Sequence, residues 1–210
     1  MARRWVAILG ASSGFGAATA RAFAAEGYGI FGVHLDRRST MPAVEALIEE
    51  LKGHDVPVLF HNGNAASDEE MGKALDALQA EMDDGDTVGV LLHSLAFGTL
   101  RPLFPEDGKA LNKKQMDMTL DVMAHSLVYW TQALVSRELL VRGGRIYAMT
   151  SSGSIAAWQA YGAVSAAKCA LESHCRQLAV ELAPRGITAN AVMAGVTRTA
   201  ALEKIPGADE

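Results

Sequence analysis

The stretch Trp5-Val-Ala-Ile-Leu9-Gly10-Ala-Ser-Ser-Gly14-Phe-Gly16-Ala-Ala-Thr-Ala20 decides the fold. Trp5 to Leu9 is an unbroken apolar run, short and closed by a glycine, which reads as a buried strand. Beyond Gly16, Ala17, Ala18, Ala20, Phe23 and Ala24 make a small-residue helical face that ends at Gly27. A glycine-rich turn between a strand and a helix lets the backbone approach a pyrophosphate, and the helix N-terminus offers it unpaired N–H groups and a positive dipole end. The spacing is GxxxGxG rather than GxGxxG. The strand before it and the helix after it are what make it a dinucleotide signal.

Outward from this unit, strands and helices alternate. Gly29–Val33 reads as a second strand and Val56–Phe60 as a third, with Pro57 at its start. A helix from Pro42 to Leu51 lies between them, with proline in its first turn. Ser67-Asp-Glu-Glu70 caps a helix running to Met82, and Val88–Leu92 is a fourth strand. Residues 97–114 are irregular and longer than a usual connection, which points to a functional loop. A helix over Gln115–Val141 is broken by Gly143-Gly144, and Arg145–Thr150 is a fifth strand. A helix from Tyr161 to Leu182 stops at Pro184 and Gly186, and Ile187–Val192 is the sixth strand. The pattern predicts an α/β fold: a single doubly wound, Rossmann-like parallel sheet with helices on both faces. It leaves the strand order open. With no repeat or internal boundary, residues 1–210 read as one dinucleotide-binding reductase domain.

Composition narrows the function. Half of the 210 residues are hydrophobic, 6% are aromatic and the net charge is −5, which argues against a nucleic-acid binder. Cys169 and Cys175 have neither a disulfide framework nor metal spacing, and the six histidines show no ligand pattern, so reduced thiols, no metal and a cytoplasmic location are expected. The basic start is neither a signal peptide nor a span, and no membrane association is expected.

Cofactor choice falls to His34-Leu-Asp36-Arg37-Arg38 after the second strand. Asp36 suits the ribose hydroxyls of NAD. Arg37 and Arg38 suit the 2′-phosphate of NADP, and two cations against one acid favour NADPH, with NADH as the alternative. Farther on, Tyr161 and Lys168 share a helix; seven residues are close to two turns, so both project from one face. A cation near a phenol favours its ionised form and suits it to general-acid work. Ser151 and Ser152 close the fifth strand at the carboxyl edge of the sheet, where such folds bind ligands.

Together with Met149-Thr-Ser-Ser-Gly-Ser154 and Asn190-Ala-Val-Met-Ala-Gly195, these motifs resemble the short-chain dehydrogenase/reductase superfamily over nearly the whole chain. Most members have Tyr-x3-Lys; Tyr161-x6-Lys168 resembles the divergent NADPH-dependent enoyl-acyl-carrier-protein reductases. So do His93-Ser94-Leu95, Phe97-Gly-Thr-Leu-Arg101-Pro102 and Leu178-Ala-Val-Glu-Leu-Ala-Pro184. Met123-Ala-His-Ser126 stands where a general member carries a catalytic Asn. The resemblance implies that Tyr161 stabilises the enolate oxygen of an enoyl thioester, with Ser151 assisting. It implies that Lys168 binds the nicotinamide ribose. Gly10, Ser12, Ser13, Gly14, Phe15 and Gly16 would hold the pyrophosphate, and Asn64 would flank the adenine. Ser94 and Leu95 would lie near the ribose, and Gly195, Thr197 and Thr199 would cover the nicotinamide.

The implied activity is reduction of a 2-enoyl thioester, on acyl carrier protein or coenzyme A, in fatty-acid-type metabolism. A carbonyl or hydroxyl oxidoreductase of the same superfamily is the alternative, and a non-catalytic dinucleotide-binding protein is the second. A homo-oligomer, dimer or tetramer, is implied as well. Arg101, Lys109, Lys113, Lys114 and Lys204 read as solvated charge or as attraction for an acidic carrier. Family members usually continue into a last helix and a seventh strand, so the chain reads as short of both.

Overall fold

The computed structural model describes residues 4–106, 108–195, 197 and 199. Six strands, β1 (Arg4–Leu9), β2 (Gly29–His34), β3 (Val58–Asn62), β4 (Thr87–His93), β5 (Arg145–Thr150) and β6 (Thr188–Met193), pair in parallel in the order β3-β2-β1-β4-β5-β6. The chain winds outward from β1 to β3, then returns to lay β4 on the other side of β1. That reversal opens a crevice at the carboxyl ends of β1 and β4, the place where such sheets bind ligands.

Trp5 to Leu9 are all fully buried because helices cover both faces. Trp5, Ala7 and Leu9 face one core, shared with α3 (Asp68–Glu81), α5 (Ser126–Ser136) and α6 (Gly162–Leu182). Val6 and Ile8 face the other, shared with Ala17, Ala20 and Ala24 of α1 (Gly14–Ala25) and Leu47 and Leu51 of α2 (Met41–Lys52). A register shift beside Gly89 pairs Trp5 with Val88 and Val6 with Val90, so Val88 and Leu91 share one face although three residues apart.

Most strand and helix ends agree with the sequence reading to within a residue, and two elements differ by more. β3 starts at Val58, not Val56: pairing begins when the Pro57 carbonyl accepts the Ile30 N–H at 2.9 Å, and proline has no N–H to give in return. The helix expected over 115–141 runs instead over 113–136 and carries a π-helical turn inside it. α4 (Lys113–Leu120) starts two residues early, on an Asn112–Gln115 capping box. It runs into a π-helical turn, Asp121–His125, and continues as α5, which ends at Ser136. Glu138 then takes a left-handed φ of 57°, and the N–H groups of Leu139 and Leu140 turn back to the Leu134 carbonyl. The buried Leu139 and Leu140 thus pull the chain into the core before the glycines are reached. No helix among the described residues is long and apolar enough to cross a membrane.

Candidate active site

The glycine turn is pinned to β2: the N–H groups of Gly10 and Ala11 both donate to the Val33 carbonyl, at 2.8 and 3.1 Å. A Cβ on Gly16 would lie 1.9 Å from the Gly10 carbonyl oxygen, and one on Gly10 (φ 89°) would lie 2.5 Å from that of Ser94. Side chains are excluded there by backbone, not by preference. α1 has no carboxylate in its first turn, and the Ser13 hydroxyl at its N-cap makes no capping bond. The first-turn N–H groups and the helix dipole therefore face an anion-sized hollow. A cavity of about 280 Å³ opens over it, lined by Gly10, Ser12, Ser13, Gly14, Phe15, Asn64, Ser94, Leu95 and Thr199 among others. The bare cradle and uncommitted donors fit a dinucleotide pyrophosphate.

After β2 both the backbone and the carboxylate of Asp36 are held in place. Its backbone is locked by Asn62, which accepts from the Asp36 N–H and donates to its carbonyl, both at 3.0 Å. Burial raises its carboxyl, but hydrogen bonds from Ser12, Thr40 and His34 outweigh this and hold it below the usual carboxylate range. His34 is buried, with Nδ1 2.9 Å from the Asp36 carboxylate. Arg37 and Arg38 are exposed, and Asp36, Arg37 and Arg38 alike stand outside the lining of both this cavity and its neighbour.

A second cavity of 220 Å³ shares Phe15, Ser94, Leu95, Ala96 and Thr199 with the first, so the two form one cleft. Ser151, Tyr161 and Lys168 all line it, with Gly195 and Thr197. Tyr161 is the N-cap of α6 rather than its first residue. Its ring lies over Gly153, where a Cβ would come within 2.2 Å of Cε1, and edge-on to Trp158 at 5.3 Å. Its hydroxyl is 3.5 Å from Ser151 Oγ. Lys168 is buried among carbonyls: Nζ donates to Met149 O at 2.7 Å and to Leu95 O at 3.4 Å. That leaves one of its three donors for a ligand. Desolvation, partly offset by Glu172, pushes its pKa down to about 8, so it is still cationic at neutral pH.

Two features escaped the sequence reading. His93 does not line the cleft; it is fully buried beneath it, and Ser94 and Leu95 line the cleft instead. Its Nε2 is 2.9 Å from Ser126 Oγ, and the Ser126 hydroxyl itself donates to Val122 O at 2.8 Å. The hydroxyl proton is thus committed, so His93 Nε2–H must be the donor. Desolvation, and then the Lys168 charge, push His93 down to about 3, keeping it neutral. The other is the apolar wall of Leu100, Met123, Trp158 and Val164. Gly98 was the available clue, since a Cβ there would meet Met123, Val164 and Thr119 within 2.8 Å. Lys113 pairs with Asp117, while Lys204 lies outside the described residues.

The family described as enoyl-(acyl carrier protein) reductase matches residues 10–210. The chain is 30% identical over 164 residues to the enoyl-acyl-carrier-protein reductase (NADH) FabI of Nostoc sp. strain PCC 7120, covering 78% of this chain and 60% of that one. It is 30% identical over 170 residues to the corresponding NADPH enzyme of Staphylococcus aureus strain MRSA252, covering 78% and 61%. The chain thus spans about 60% of the length of these curated relatives. A 3-oxoacyl-acyl-carrier-protein reductase of Synechocystis sp. strain PCC 6803 is 27% identical over 94% of this chain and 76% of its own. A short chain dehydrogenase from Burkholderia cenocepacia J2315, solved in complex with NADP, superposes with a TM-score of 0.80 over 94% of this chain and 76% of its own, at 24% identity. The shared sheet, the glycine cradle and the match over residues 10–210 agree: the chain belongs to the enoyl-acyl-carrier-protein reductase branch of the short-chain dehydrogenase/reductase superfamily.

Proposed function

We propose that the chain reduces the carbon–carbon double bond of a 2-enoyl thioester, on acyl carrier protein or coenzyme A, in fatty-acid-type metabolism. The observation that carries this reading is Tyr161 at the N-cap of α6, two turns from the buried Lys168 on the same cleft. When bound, a reduced nicotinamide dinucleotide supplies the hydride. Hydride addition at the β-carbon breaks the carbon–carbon π bond and moves negative charge to the thioester oxygen, three bonds away; a proton taken up at the α-carbon then restores the thioester carbonyl and completes the reduction. The Tyr161 hydroxyl donates to that oxygen, and the Ser151 hydroxyl, 3.5 Å away, is a second donor to it. Lys168 holds positive charge nearby and turns its remaining N–H to the ribose hydroxyls. Leu100, Met123 and Val164 keep water away from the developing charge. The turn at Ser12 to Gly16 takes the pyrophosphate, Asn64 flanks the adenine, and Gly195, Thr197 and Thr199 cover the nicotinamide. Two guanidinium groups, Arg37 and Arg38, against one carboxylate keep NADPH as our reading; Asp36, hydrogen-bonded to Ser12, favours NADH. The resemblance carries a cytoplasmic homo-oligomer with it.

A second reading rests on the same pair of hydroxyls. Ser151 and Tyr161 converge on a single oxygen, which equally suits a ketone, and the Synechocystis 3-oxoacyl reductase is among the relatives. Following NADPH or NADH oxidation with crotonyl and 3-ketoacyl thioesters separates them. Turnover of the enoyl substrate is expected, and turnover of the keto substrate alone refutes our reading. Binding of the dinucleotide without turnover of either leaves a non-catalytic dinucleotide-binding protein. Tyr161→Phe should lower kcat about 10²- to 10³-fold while leaving cofactor affinity within twofold; an equal loss of affinity would remove Tyr161 from its assigned role.

A further inference from the structure

We infer that Glu172 is a positioning residue for the reaction: fixed by the Thr150 hydroxyl, its carboxylate supplies the negative charge that keeps Lys168 an ammonium beside the cleft. The inference rests on the enoyl thioester reading above, in which Lys168 acts as a cation. It starts from two bonds between the end of β5 and one face of α6. Lys168 Nζ donates to the Met149 carbonyl at 2.7 Å, and the hydroxyl of the next residue, Thr150, donates to Glu172 Oε1 at 2.5 Å. Ile146 and Ala148 belong to the core that α6 shares, so strand alternation turns Thr150 to the same side. Glu172 stands four residues after Lys168, and residues at that spacing on a helix lie side by side, about 5–6 Å apart at Cβ. Two consecutive strand residues thus grip two side chains one helical turn apart. Thr150 and Lys168 both line the cleft, and Ser151 is the next residue along.

A glutamate side chain is long and flexible, and on a surface it spreads its charge through solvent. Here a 2.5 Å bond, in the range of a hydroxyl donating to an ionised carboxylate, holds it in one place. Lys168 is buried and Glu172 half-buried, so salt and water screen the two charges little. Burial works against the ammonium, and Glu172 opposes that effect. The titratable groups that face Lys168 are Tyr161 and Glu172 on its own helix and the neutral His93 on β4. Others on the elements packed against α6 are engaged elsewhere: Lys113 with Asp117, Asp121 with Tyr129, and His125 with His174. Arg145, at the amino end of β5, donates to the Gly143 and Gly144 carbonyls, and Tyr147 packs on the opposite face of the sheet. Lys114 and Arg176 are exposed, and β6 brings no charge.

The test is the pH profile of kcat with crotonyl-CoA and NADPH, on the wild type, Glu172→Gln and Glu172→Asp. Wild-type activity should fall as pH passes about 8. Glu172→Gln keeps an oxygen for the Thr150 hydroxyl but loses the charge. Its fall should come about one pH unit lower, the low end of what an opposite charge nearby supplies. At pH 8, relative to each protein's own plateau, that shift is about a fivefold loss. Glu172→Asp keeps the charge but is one methylene short of Thr150, and its fall should stay near that of the wild type. Profiles that coincide in all three proteins overturn the inference. Equal shifts in the Gln and Asp variants overturn it too, because the hydrogen bond and not the charge would then set the profile. Urea unfolding against pH reads the same ammonium without turnover: the pH at which stability begins to rise should move about one unit lower in Glu172→Gln, and an unmoved onset overturns the inference. Absence of any enoyl turnover overturns the enoyl reading instead, and the unfolding series still decides the role of Glu172.

Discussion

Burying Lys168 makes the stability of this fold depend on pH in a direction that follows from its surroundings. Desolvation, partly offset by Glu172, lowers its pKa from 10.5 to about 8. The folded value lies below the unfolded one, so between these two pH values the unfolded chain keeps a proton that the folded chain has released. Stability from this residue is then lowest below pH 8 and rises with pH across the window. A gap of about 2.5 pH units at about 1.36 kcal/mol each is about 3 kcal/mol. Cys175 acts oppositely: burial raises its thiol from 9.0 to about 11, so the folded chain keeps its proton longer and stability falls with pH there. Urea unfolding at pH 7 to 10.5, compared between the wild type and Lys168→Met, isolates the lysine because Cys175 is common to both. The constant offset between the two proteins includes the lost bonds to the Met149 and Leu95 carbonyls; only the change with pH is diagnostic. The wild type should gain about 3 kcal/mol on the variant across the window, and its kcat should fall as pH passes about 8. Parallel stability curves would mean that Lys168 titrates normally, and would refute the buried-ammonium argument.

Three further outcomes are expected. Gly16→Ala places a methyl 1.9 Å from the Gly10 carbonyl oxygen, so dinucleotide affinity measured by fluorescence titration should fall at least about tenfold; wild-type affinity would take the turn out of the site. Replacing Arg37 and Arg38 with serine should weaken NADPH about tenfold or more and leave NADH unchanged, whereas an unchanged ratio of the two would hand the selection to Asp36. Ser126→Ala strands the buried His93 Nε2–H and should cost about 1–3 kcal/mol, lowering Tm by several degrees; an unaltered melting curve would show that His93 does not depend on Ser126.

The βα unit at Trp5–Ala20, the alternation of strands and helices, and the Tyr161–Lys168 pair were all legible along the chain. Each depends on short-range physics: an apolar run bounded by glycine, helical spacing, and a turn that tolerates no Cβ. The interrupted helix was not legible, because residues 115–141 have helical character throughout and only the pull of Leu139 and Leu140 into the core ends α5 early. The sequence sets Arg37 and Arg38 against Asp36 as opposite cofactor signals, but it does not show that the Asp36 backbone is locked by Asn62, 26 positions away on β3.

What the sequence determined by itself is the class of the fold, the glycine turn and the placing of Tyr161 and Lys168 on one helix face, since those features lie in contiguous segments whose geometry is local. Tertiary structure alone decided the strand order, the burial of His93 on Ser126, and the seat of Lys168 between carbonyls of Met149 and Leu95, the latter 73 positions away. The reason is that a side chain's partners across a sheet depend on register, bulge and crossover, and none of these is written in the spacing of any one segment.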